Sequence, residues 1–229
     1  MQYFEMTVTL YLLSDIHFIA ANEAIGKLIS AAMFLDKELA DKHARKEYKF
    51  YCFNSLYPTE KDKIYRRGRM YVFKLRSLEK EFMLKLRKLI KQTGCENIRV
   101  VSCDFKNKMA RYISELRCVT PVIVTVDDRP WLREDDLVLL SERLQANLEK
   151  KYRDFYGEEV MPDQRFIQKI QVLNQKPFAL DYKGISLLGN KFRIWVNDDE
   201  SSQKLSLIAL ACGIGEKNSS LGAGFCEGR

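Results

Sequence analysis

Histidine is the scarcest ionisable residue in this chain of 229 residues, which contains only His17 and His43. A metal site built on several histidines is therefore excluded. The six cysteines are scattered and form no C-x-x-C pair. This spacing argues against a zinc ribbon or a disulfide-stapled scaffold and is typical of reduced thiols in a cytoplasm. The sequence thus predicts neither a bound metal nor another cofactor.

Long apolar runs are also missing, and none approaches the roughly 20 residues that span a bilayer. The first residues, MQYFEMTVTLYLL, lack a basic segment, carry Glu5 and alternate like a strand, so they do not resemble a secretory signal. With 46% hydrophobic and 30% charged residues, the composition is that of a chain with a buried core. We expect a soluble cytoplasmic protein with no membrane partner.

Positive charge is what the sequence has in excess, and it is concentrated in the first half. The formal net charge is +7 overall, with 22 Lys and Arg against 14 Asp and Glu in residues 1–115 and 16 against 17 in residues 116–229. Residues 42–76 carry 11 basic and 3 acidic side chains, interleaved with aromatic ones. Such a surface attracts phosphates, and its rings can stack on unpaired bases. A solvated basic face over core aromatics gives the same pattern, so both interpretations stay open.

Residue periodicity predicts a β-α-β-β-α-β order in the first half. The predicted strands are residues 3–13, 49–56, 70–75 and 97–105. Asn22 is predicted to cap a helix that runs to about residue 40, with Leu35 on its apolar side. Ser77 is predicted to cap a second helix, which Gly94 ends. This order is typical of a ferredoxin-like domain.

The second half repeats the same order. Its predicted strands are residues 119–126, 166–173, 184–188, 192–196 and 223–226, and its first helix covers about residues 133–155. Ser201 or Ser202 is predicted to cap a short apolar helix before the last strand. The fold class is therefore α+β, with two tandem ferredoxin-like (RRM-like) domains at residues 1–115 and 116–229.

A glycine-rich segment near the C-terminus is the sharpest local motif. Gly213, Gly215, Gly222 and Gly224 bracket residues 216–221. Glycines let backbone N–H groups approach a phosphate closely. A dinucleotide-binding motif is excluded because no βαβ unit follows, and a P-loop because no G-K-[ST] occurs. A phosphate-binding loop and a tight helix-to-strand turn both remain open.

His43 lies in a cationic run, DKHARKEYK, at the end of the first predicted helix. An imidazole with a pKa near neutrality can serve as a general acid or base in RNA cleavage, with cations stabilising the phosphorane. A histidine at a helix C-terminus can equally be favoured only by the helix dipole. His17, in the loop after the first strand, is a second candidate for the same chemistry.

Three stretches together resemble the CRISPR-associated endoribonucleases that cut precursor CRISPR RNA within its repeats, a family of the RAMP superfamily. They are residues 42–77 (KHARKEYKFYCFNSLYPTEKDKIYRRGRMYVFKLRS), residues 182–195 (YKGISLLGNKFRIW) and residues 213–225 (GIGEKNSSLGAGF). The resemblance places the general acid/base on His43, a lysine shortly after it on Lys49, and a tyrosine on Tyr48 as the nearest candidate. Residues 26–34 lack the helix tyrosine of some members, and six residues separate the glycine pairs where five are usual.

The resemblance implies a metal-independent transesterification that leaves 2′,3′-cyclic phosphate and 5′-hydroxyl ends. The residues it offers for RNA contact are Lys46, Arg66, Arg67, Arg69, Lys217, Gly213, Gly215, Gly222 and Gly224. The implied partner is CRISPR repeat RNA, bound by a monomer or homodimer, with a CRISPR effector complex as a further partner. The alternative is a non-catalytic RNA-binding subunit of such a complex. A generic RRM module is weaker, because the K/R-G-F-G-F-V-like strand is absent.

Overall fold

The computed structural model describes residues 2–93 and 95–229. Gly94, the predicted end of a helix, lies outside the described residues. The first repeat contains β1 (Gln2–Leu12), β2 (Ile16–His17), α1 (Phe18–Met33), α2 (Lys37–Ala44), β3 (Tyr51–Phe53), β4 (Ile64–Tyr65), β5 (Met70–Ser77), α3 (Lys80–Leu89) and β6 (Ile98–Met109). The second contains β7 (Glu115–Cys118), β8 (Thr125–Val126), β9 (Arg129–Pro130), α4 (Leu137–Tyr156), β10 (Ile167–Val172), β11 (Phe178–Tyr182), β12 (Ile185–Gly189), β13 (Phe192–Val196), α5 (Glu200–Cys212), α6 (Asn218–Leu221) and β14 (Cys226–Gly228).

The two repeats have the same sheet topology. The first sheet has the order β3-β5-β1-β6 and the second the order β10-β13-β7-β14. In the first sheet β1 lies between β5 and β6, and in the second sheet β7 lies between β13 and β14. All four of these pairings are antiparallel. This confirms the predicted tandem ferredoxin-like fold. The division at residues 115 and 116 stays a prediction, and β7, which begins the second repeat, starts at Glu115.

Each repeat has its own hydrophobic core beneath its helices. In β1, alternate residues from Phe4 to Leu12 are buried, as the two-residue period of a strand requires. The opposite face of β1 is also covered near its start, because buried Glu5 accepts a hydrogen bond from Arg76 Nε at 2.8 Å. Arg76 also donates to the Cys226 carbonyl at 2.6 Å and lies over the Phe225 ring. This buried arginine therefore joins the first sheet to the end of the second repeat.

The first predicted helix is two helices in the structure. The prediction that Asn22 caps it was wrong, because α1 begins at Phe18 and Asn22 is buried in its interior. Its Nδ2 donates to the Leu221 carbonyl at 2.8 Å, a contact with the second repeat. The chain then breaks, and Asp36 caps α2 by accepting a hydrogen bond from Leu39 N. Leu35, which was predicted on the apolar side of the helix, lies in this break, and 54% of its surface is exposed.

In α3 and α5 the N-cap is a residue near the predicted serine and not the serine itself. Ser77 is the last residue of β5, and its Oγ accepts a hydrogen bond from Glu79 N while donating to the Phe50 carbonyl. Asp199, not Ser201 or Ser202, caps α5, since its carboxylate accepts from Ser202 N at 2.9 Å. Both helices lie where the sequence predicts them, with their first residues displaced.

Three predicted strands differ from the observed ones. Residues 119–126 contribute only β8, because Pro121 has no N–H for a ladder and the strand of the sheet is β7 just before them. The strand at residues 49–56 shortens to β3, and the last strand begins at Cys226. β11 was not predicted; it pairs with β12 through a turn at Lys183 and Gly184, both at positive φ, as a tight hairpin turn requires.

All six cysteines, each of them in the described part of the chain, are free thiols. Among the described residues, no helix is both long enough and apolar enough to cross a membrane.

Candidate functional site

A cleft of about 800 Å³ opens between the two repeats. One wall comes from the second half of α1, the last turn of α2 and the connection to β3. The other comes from the hairpin tip between β11 and β12 and from residues 217–220. The cleft brings together His43 and Lys49 on the first wall and Tyr182, Lys183 and Lys217 on the second. Four of these five side chains are basic or titrate near neutrality, so the cleft suits a polyanion.

His43 lies in the last turn of α2, half-buried, with its ring edge-on to Phe34 at a centroid distance of 5.1 Å. Its Nδ1 is buried and has no hydrogen-bond partner among the described residues, which leaves Nε2 as the nitrogen available to a bound substrate. Burial lowers the pKa of His43, and the nearby positive charges of Lys49 and Lys183 lower it further. The lowered pKa favours the neutral ring, which can accept a proton.

Lys49 caps the C-terminus of α2 beside His43. Its Nζ donates to the carbonyl oxygens of Lys42 and Arg45, which are among the unpaired carbonyls at the end of a helix. Burial is the largest cause of the lowered pKa of Lys49. The lysine thus fixes the helix end that carries His43 and places positive charge on the same wall of the cleft.

Tyr48 turns away from His43. It lines a neighbouring pocket of about 300 Å³ with Asn147 and Lys151 and is not among the residues that line the His43 cleft. Its hydroxyl accepts a hydrogen bond from Asn147 Nδ2 at 3.3 Å, and the ammonium groups of Lys150 and Lys151 lie 5.7 Å from its ring centroid. Lys49 lines both of these pockets, whereas Tyr48 lines only the neighbouring one.

The second wall holds a lysine-aromatic cluster, of which the sequence predicted only Lys217 as an RNA contact. The Nζ atoms of Lys183 and Lys217 lie 5.5 and 5.6 Å from the Tyr182 ring centroid. Both lysines have positive φ, 51° and 58°, which at Lys183 is the conformation of the hairpin turn. Lys183 N donates to Glu23 Oε1 at 3.1 Å, which fixes the hairpin tip against α1. The Y-K-G turn signal in residues 182–184 could have located this hairpin.

The glycine-rich segment packs between the two repeats. Gly213, Gly215, Gly222 and Gly224 are all buried with φ between 63° and 79°, and none of them lines the His43 cleft. A Cβ on Gly222 would lie 2.5 Å from the Phe53 carbonyl oxygen of the first repeat. The structure therefore favours the tight-turn interpretation for the glycines, while Lys217, Ser219 and Ser220 are the part of the segment that faces the cleft.

Lys151 holds this segment in place from α4. The side chain is buried, and its Nζ donates to the carbonyls of Gly213 and Gly215 at 2.8 and 3.2 Å and to Asn218 Oδ1 at 2.7 Å. Burial lowers the pKa of Lys151 to about 8. All three donors of the ammonium group are used, so Lys151 orders the segment that presents Lys217 to the cleft.

The remaining predicted residues divide between the two ends of α1. Lys46 is exposed on the rim of the His43 cleft. The connection before β5, which carries Arg66, Arg67 and Arg69, runs beside the start of α1, where β4 pairs with β2. His17 lies at that end too, and a helix of 16 residues is roughly 24 Å long. His17 is therefore not part of the cleft.

The arginines of that connection are held by acidic neighbours. Arg66 pairs with Asp15 at 3.2 Å and with Asp62, and Arg69 pairs with Glu60 at 3.1 Å. Arg67 N donates to Asp15 Oδ1 at 2.7 Å. These pairs are exposed and weak, so they order the loop without removing its positive charge. In residues 2–93 and 95–229, no group of three or more His, Cys, Asp and Glu side chains could hold a metal ion.

Comparison with known proteins identifies relatives over nearly the whole chain. The family model described as CRISPR associated protein Cas6, C-terminal, matches residues 102–228. The chain is 24% identical over 212 residues to CRISPR-associated endoribonuclease Cas6 2 of Methanocaldococcus jannaschii, covering 85% of this chain and 86% of that protein. Its fold matches a solved structure of a Cas6-related gene product from Pyrococcus furiosus with a TM-score of 0.73, at 18% identity and over 99% and 98% of the two chains. A RAMP protein described as binding different RNA substrates matches with a TM-score of 0.74, at 19% identity and over 99% of each chain.

Proposed function

Because the chain belongs to the Cas6 family of CRISPR-associated proteins, we propose that it is an endoribonuclease that cuts precursor CRISPR RNA within its repeats. The observation that carries this proposal is the position of His43 in a basic cleft between the repeats, with its pKa lowered by burial and by two lysines. A histidine that serves only to complement the helix dipole would gain from being charged. The surroundings of this histidine instead favour its neutral form, which is the form that accepts a proton.

The proposed reaction is a transesterification on the RNA backbone. The 2′-oxygen upstream of the cut forms a bond to phosphorus, the bond from phosphorus to the 5′-oxygen breaks, and the products are a 2′,3′-cyclic phosphate and a 5′-hydroxyl. One proton leaves the 2′-hydroxyl and one reaches the 5′-oxygen, and His43 carries out one of these transfers through Nε2. Lys49 on one wall and Lys183 on the other stabilise the negative charge of the phosphorane.

The RNA is held mainly by positive charge on both sides of the cleft. Lys46 and Lys217 lie on opposite walls, and each phosphate contact releases counterions and adds affinity at low salt. The alternative, a non-catalytic subunit of an effector complex, is not favoured, since the matched relative is itself named an endoribonuclease. Association with an effector complex and the oligomeric state stay predictions.

The proposed function predicts cleavage that depends on the 2′-hydroxyl and not on divalent metal. We expect the wild-type protein to cut a labelled repeat transcript once in EDTA, because the cleft side chains supply both charge stabilisation and proton transfer. A transcript with a single 2′-deoxy substitution at the cut is the matched control and should bind equally but stay intact. Loss of cleavage in EDTA that magnesium restores would contradict metal independence. Binding without cleavage under every condition would contradict the nuclease function itself.

Lys183→Met is expected to move the pH–rate profile. The positive charge of Lys183 lowers the pKa of His43, so its removal makes the imidazolium less unfavourable and raises that pKa. The limb of the profile that reports His43 therefore shifts to higher pH, whether His43 is the base or the acid. Single-turnover rates across pH 5–9 measure the shift.

Lys27→Met is the control for this prediction. Lys27 also lines the cleft, but it is paired with Glu23 at 3.3 Å and is not among the charges that lower the pKa of His43. Its profile should match that of the wild type. An unchanged profile for Lys183→Met would show that Lys183 does not act on the titrating group.

A further inference from the structure

A third pocket lies between the repeats at the opposite end of α1 from His43. Its volume is about 270 Å³, slightly below the range of about 300–1,000 Å³ in which drug-sized ligands bind. Its walls are the start of α1, the connection before β4, residues 119–121 and the start of β11. The pocket has room for a single planar group rather than for a large ligand.

Two aromatic rings from different repeats form its walls, and each carries a lysine. Phe18 and Phe178 both line the pocket and are half-buried. The ammonium of Lys63 lies 5.3 Å from the Phe18 ring centroid, and that of Lys191 lies 5.2 Å from the Phe178 centroid. Rings of this kind are platforms for stacked bases, and the lysines place positive charge where flanking phosphates would lie.

The backbone conformation at Lys63 places its side chain near the Phe18 ring. Lys63 has a φ of 64°, an uncommon value for a residue with a side chain. Its carbonyl accepts a hydrogen bond from Phe18 N at 2.9 Å. The loop is thereby fastened to the first residue of α1, which keeps Lys63 beside the Phe18 ring.

Asn22 supplies a hydrogen-bonding group to this mostly apolar pocket. It lines the pocket although it is only 2% exposed, and its Nδ2 is used by the Leu221 carbonyl. Among the described residues, no side-chain hydrogen bond reaches its Oδ1, and this atom is not among the fully buried unpartnered ones. An acceptor at a pocket surface can bond to water or to a donor of a bound ligand. Ring N–H and exocyclic amino groups of nucleobases are such donors.

The pocket and the His43 cleft are connected by β11, which contributes residues to both. β11 runs from Phe178, in the pocket, to Tyr182, in the cleft, which at about 3.3 Å per residue is roughly 13 Å. Lys63 and Tyr65, which line the pocket, lie just before the connection that carries Arg66, Arg67 and Arg69. An RNA strand that leaves the cleft along β11 would reach the pocket near those arginines.

We propose that this pocket binds one unpaired nucleobase of the RNA, between Phe18 and Phe178 and against Asn22, at a position away from the cut. The inference rests on the proposed function, because it assumes that an RNA strand occupies the His43 cleft. It gives the arginine-bearing connection a role in holding the backbone next to the captured base. The pocket accepts a base only if it is unpaired, because a base stacked within a helix is not free to turn out and stack on protein rings.

The test combines abasic substitutions in the RNA with substitutions in the pocket. Repeat RNA blocked at the cut by a 2′-deoxy residue is made abasic at one position at a time, and binding is followed by fluorescence anisotropy. For the wild type, one position outside the two nucleotides at the cut should weaken binding by about 5- to 150-fold, the factor that corresponds to one stacked base. In Phe178→Ala, intact RNA should bind more weakly by a similar factor, and the abasic substitution at that position should have no further effect.

Ile185→Ala is the matched control, because Ile185 lies on β12 of the same hairpin, is 59% exposed and does not line the pocket. It should retain the full abasic penalty. Lys191→Met should weaken binding, whereas Lys176→Met, an exposed lysine outside the pocket, should not. Phe178→Leu replaces Phe178→Ala if the latter does not fold.

The outcomes separate this inference from the function on which it rests. Equal abasic effects at all positions, or a penalty that persists undiminished in Phe178→Ala, would overturn the pocket while wild-type cleavage still supports the nuclease. A wild-type protein that neither binds nor cuts the repeat RNA would overturn both.

Discussion

Replacing His43 with alanine is expected to lower the single-turnover cleavage rate by about 10²- to 10⁴-fold, the usual contribution of a positioned general acid or base. His43 lies in the last turn of α2 with Nε2 as its available nitrogen. Alanine removes the proton-transfer group and leaves the lysines of the cleft in place. The measurement is the rate of product formation with protein in excess over labelled repeat RNA.

RNA affinity should change by no more than about twofold in the same variant. A neutral imidazole contributes no charge to phosphate binding, and burial and two lysines lower the pKa of His43. Electrostatic affinity comes from the lysines and arginines, which release counterions on binding. A matched loss of rate and affinity would therefore indicate that the variant has lost its structure, and a thermal melt distinguishes this case.

His17→Ala is the matched control, because it removes the only other histidine of the chain. His17 precedes the first residue of α1, roughly 24 Å from the other end of that helix, so its removal should leave the rate unchanged. If His17→Ala loses cleavage and His43→Ala does not, the active site is at the other end of α1. If neither variant loses cleavage, proton transfer does not depend on histidine.

Much of the fold could be predicted from the sequence because local periodicity determines it. The alternation in β1 and the predicted strand at residues 192–196 match the structure, since each buries one face in a way that sequence pattern records directly. The position of His43 at a helix end also follows from sequence. The second wall of the cleft does not, because Lys183 reaches it only through the docking of the β11–β12 hairpin on α1.

At two positions a long-range contact between the repeats determines where a side chain lies. Asn22 has the preference of a helix cap, but it lies inside α1 because its amide pairs with the Leu221 carbonyl, 199 residues away. Tyr48 lies beside Lys49 in sequence, yet its ring packs toward Asn147 of the second repeat. Side-chain direction at such positions depends on how the two repeats pack, which no local window of sequence contains.

The packing of the repeats should depend most strongly on the glycines of residues 213–225, and Gly224→Ala is expected to be the most destabilising substitution among them. A Cβ at this position would lie 1.8 Å from the Ile214 carbonyl oxygen and 2.9 Å from its carbon. Backbone atoms cannot rotate away as a side chain can. The substitution therefore displaces the segment and breaks the hydrogen bonds between Ile214 N and Gly224 O and between Gly224 N and Pro121 O.

Gly157→Ala separates the steric clash from backbone strain. Gly157 has a φ of 72° and Gly224 a φ of 70°, but a Cβ on Gly157 would meet nothing within 4 Å. Alanine at positive φ alone costs about 1–2 kcal/mol. Gly224→Ala adds overpacking of about 1–3 kcal/mol and two hydrogen bonds of about 1 kcal/mol each.

The expected loss in the free energy of unfolding is therefore about 4 kcal/mol or more for Gly224→Ala, against about 1–2 kcal/mol for Gly157→Ala. Urea denaturation of both variants and the wild type measures the difference. The larger loss is a substantial part of the roughly 5–15 kcal/mol that stabilises a folded domain, so Gly224→Ala should also lose RNA cleavage at elevated temperature before Gly157→Ala does. Equal losses for the two variants would show that the segment can shift to accept a methyl group, and that these glycines are needed for their backbone conformation alone.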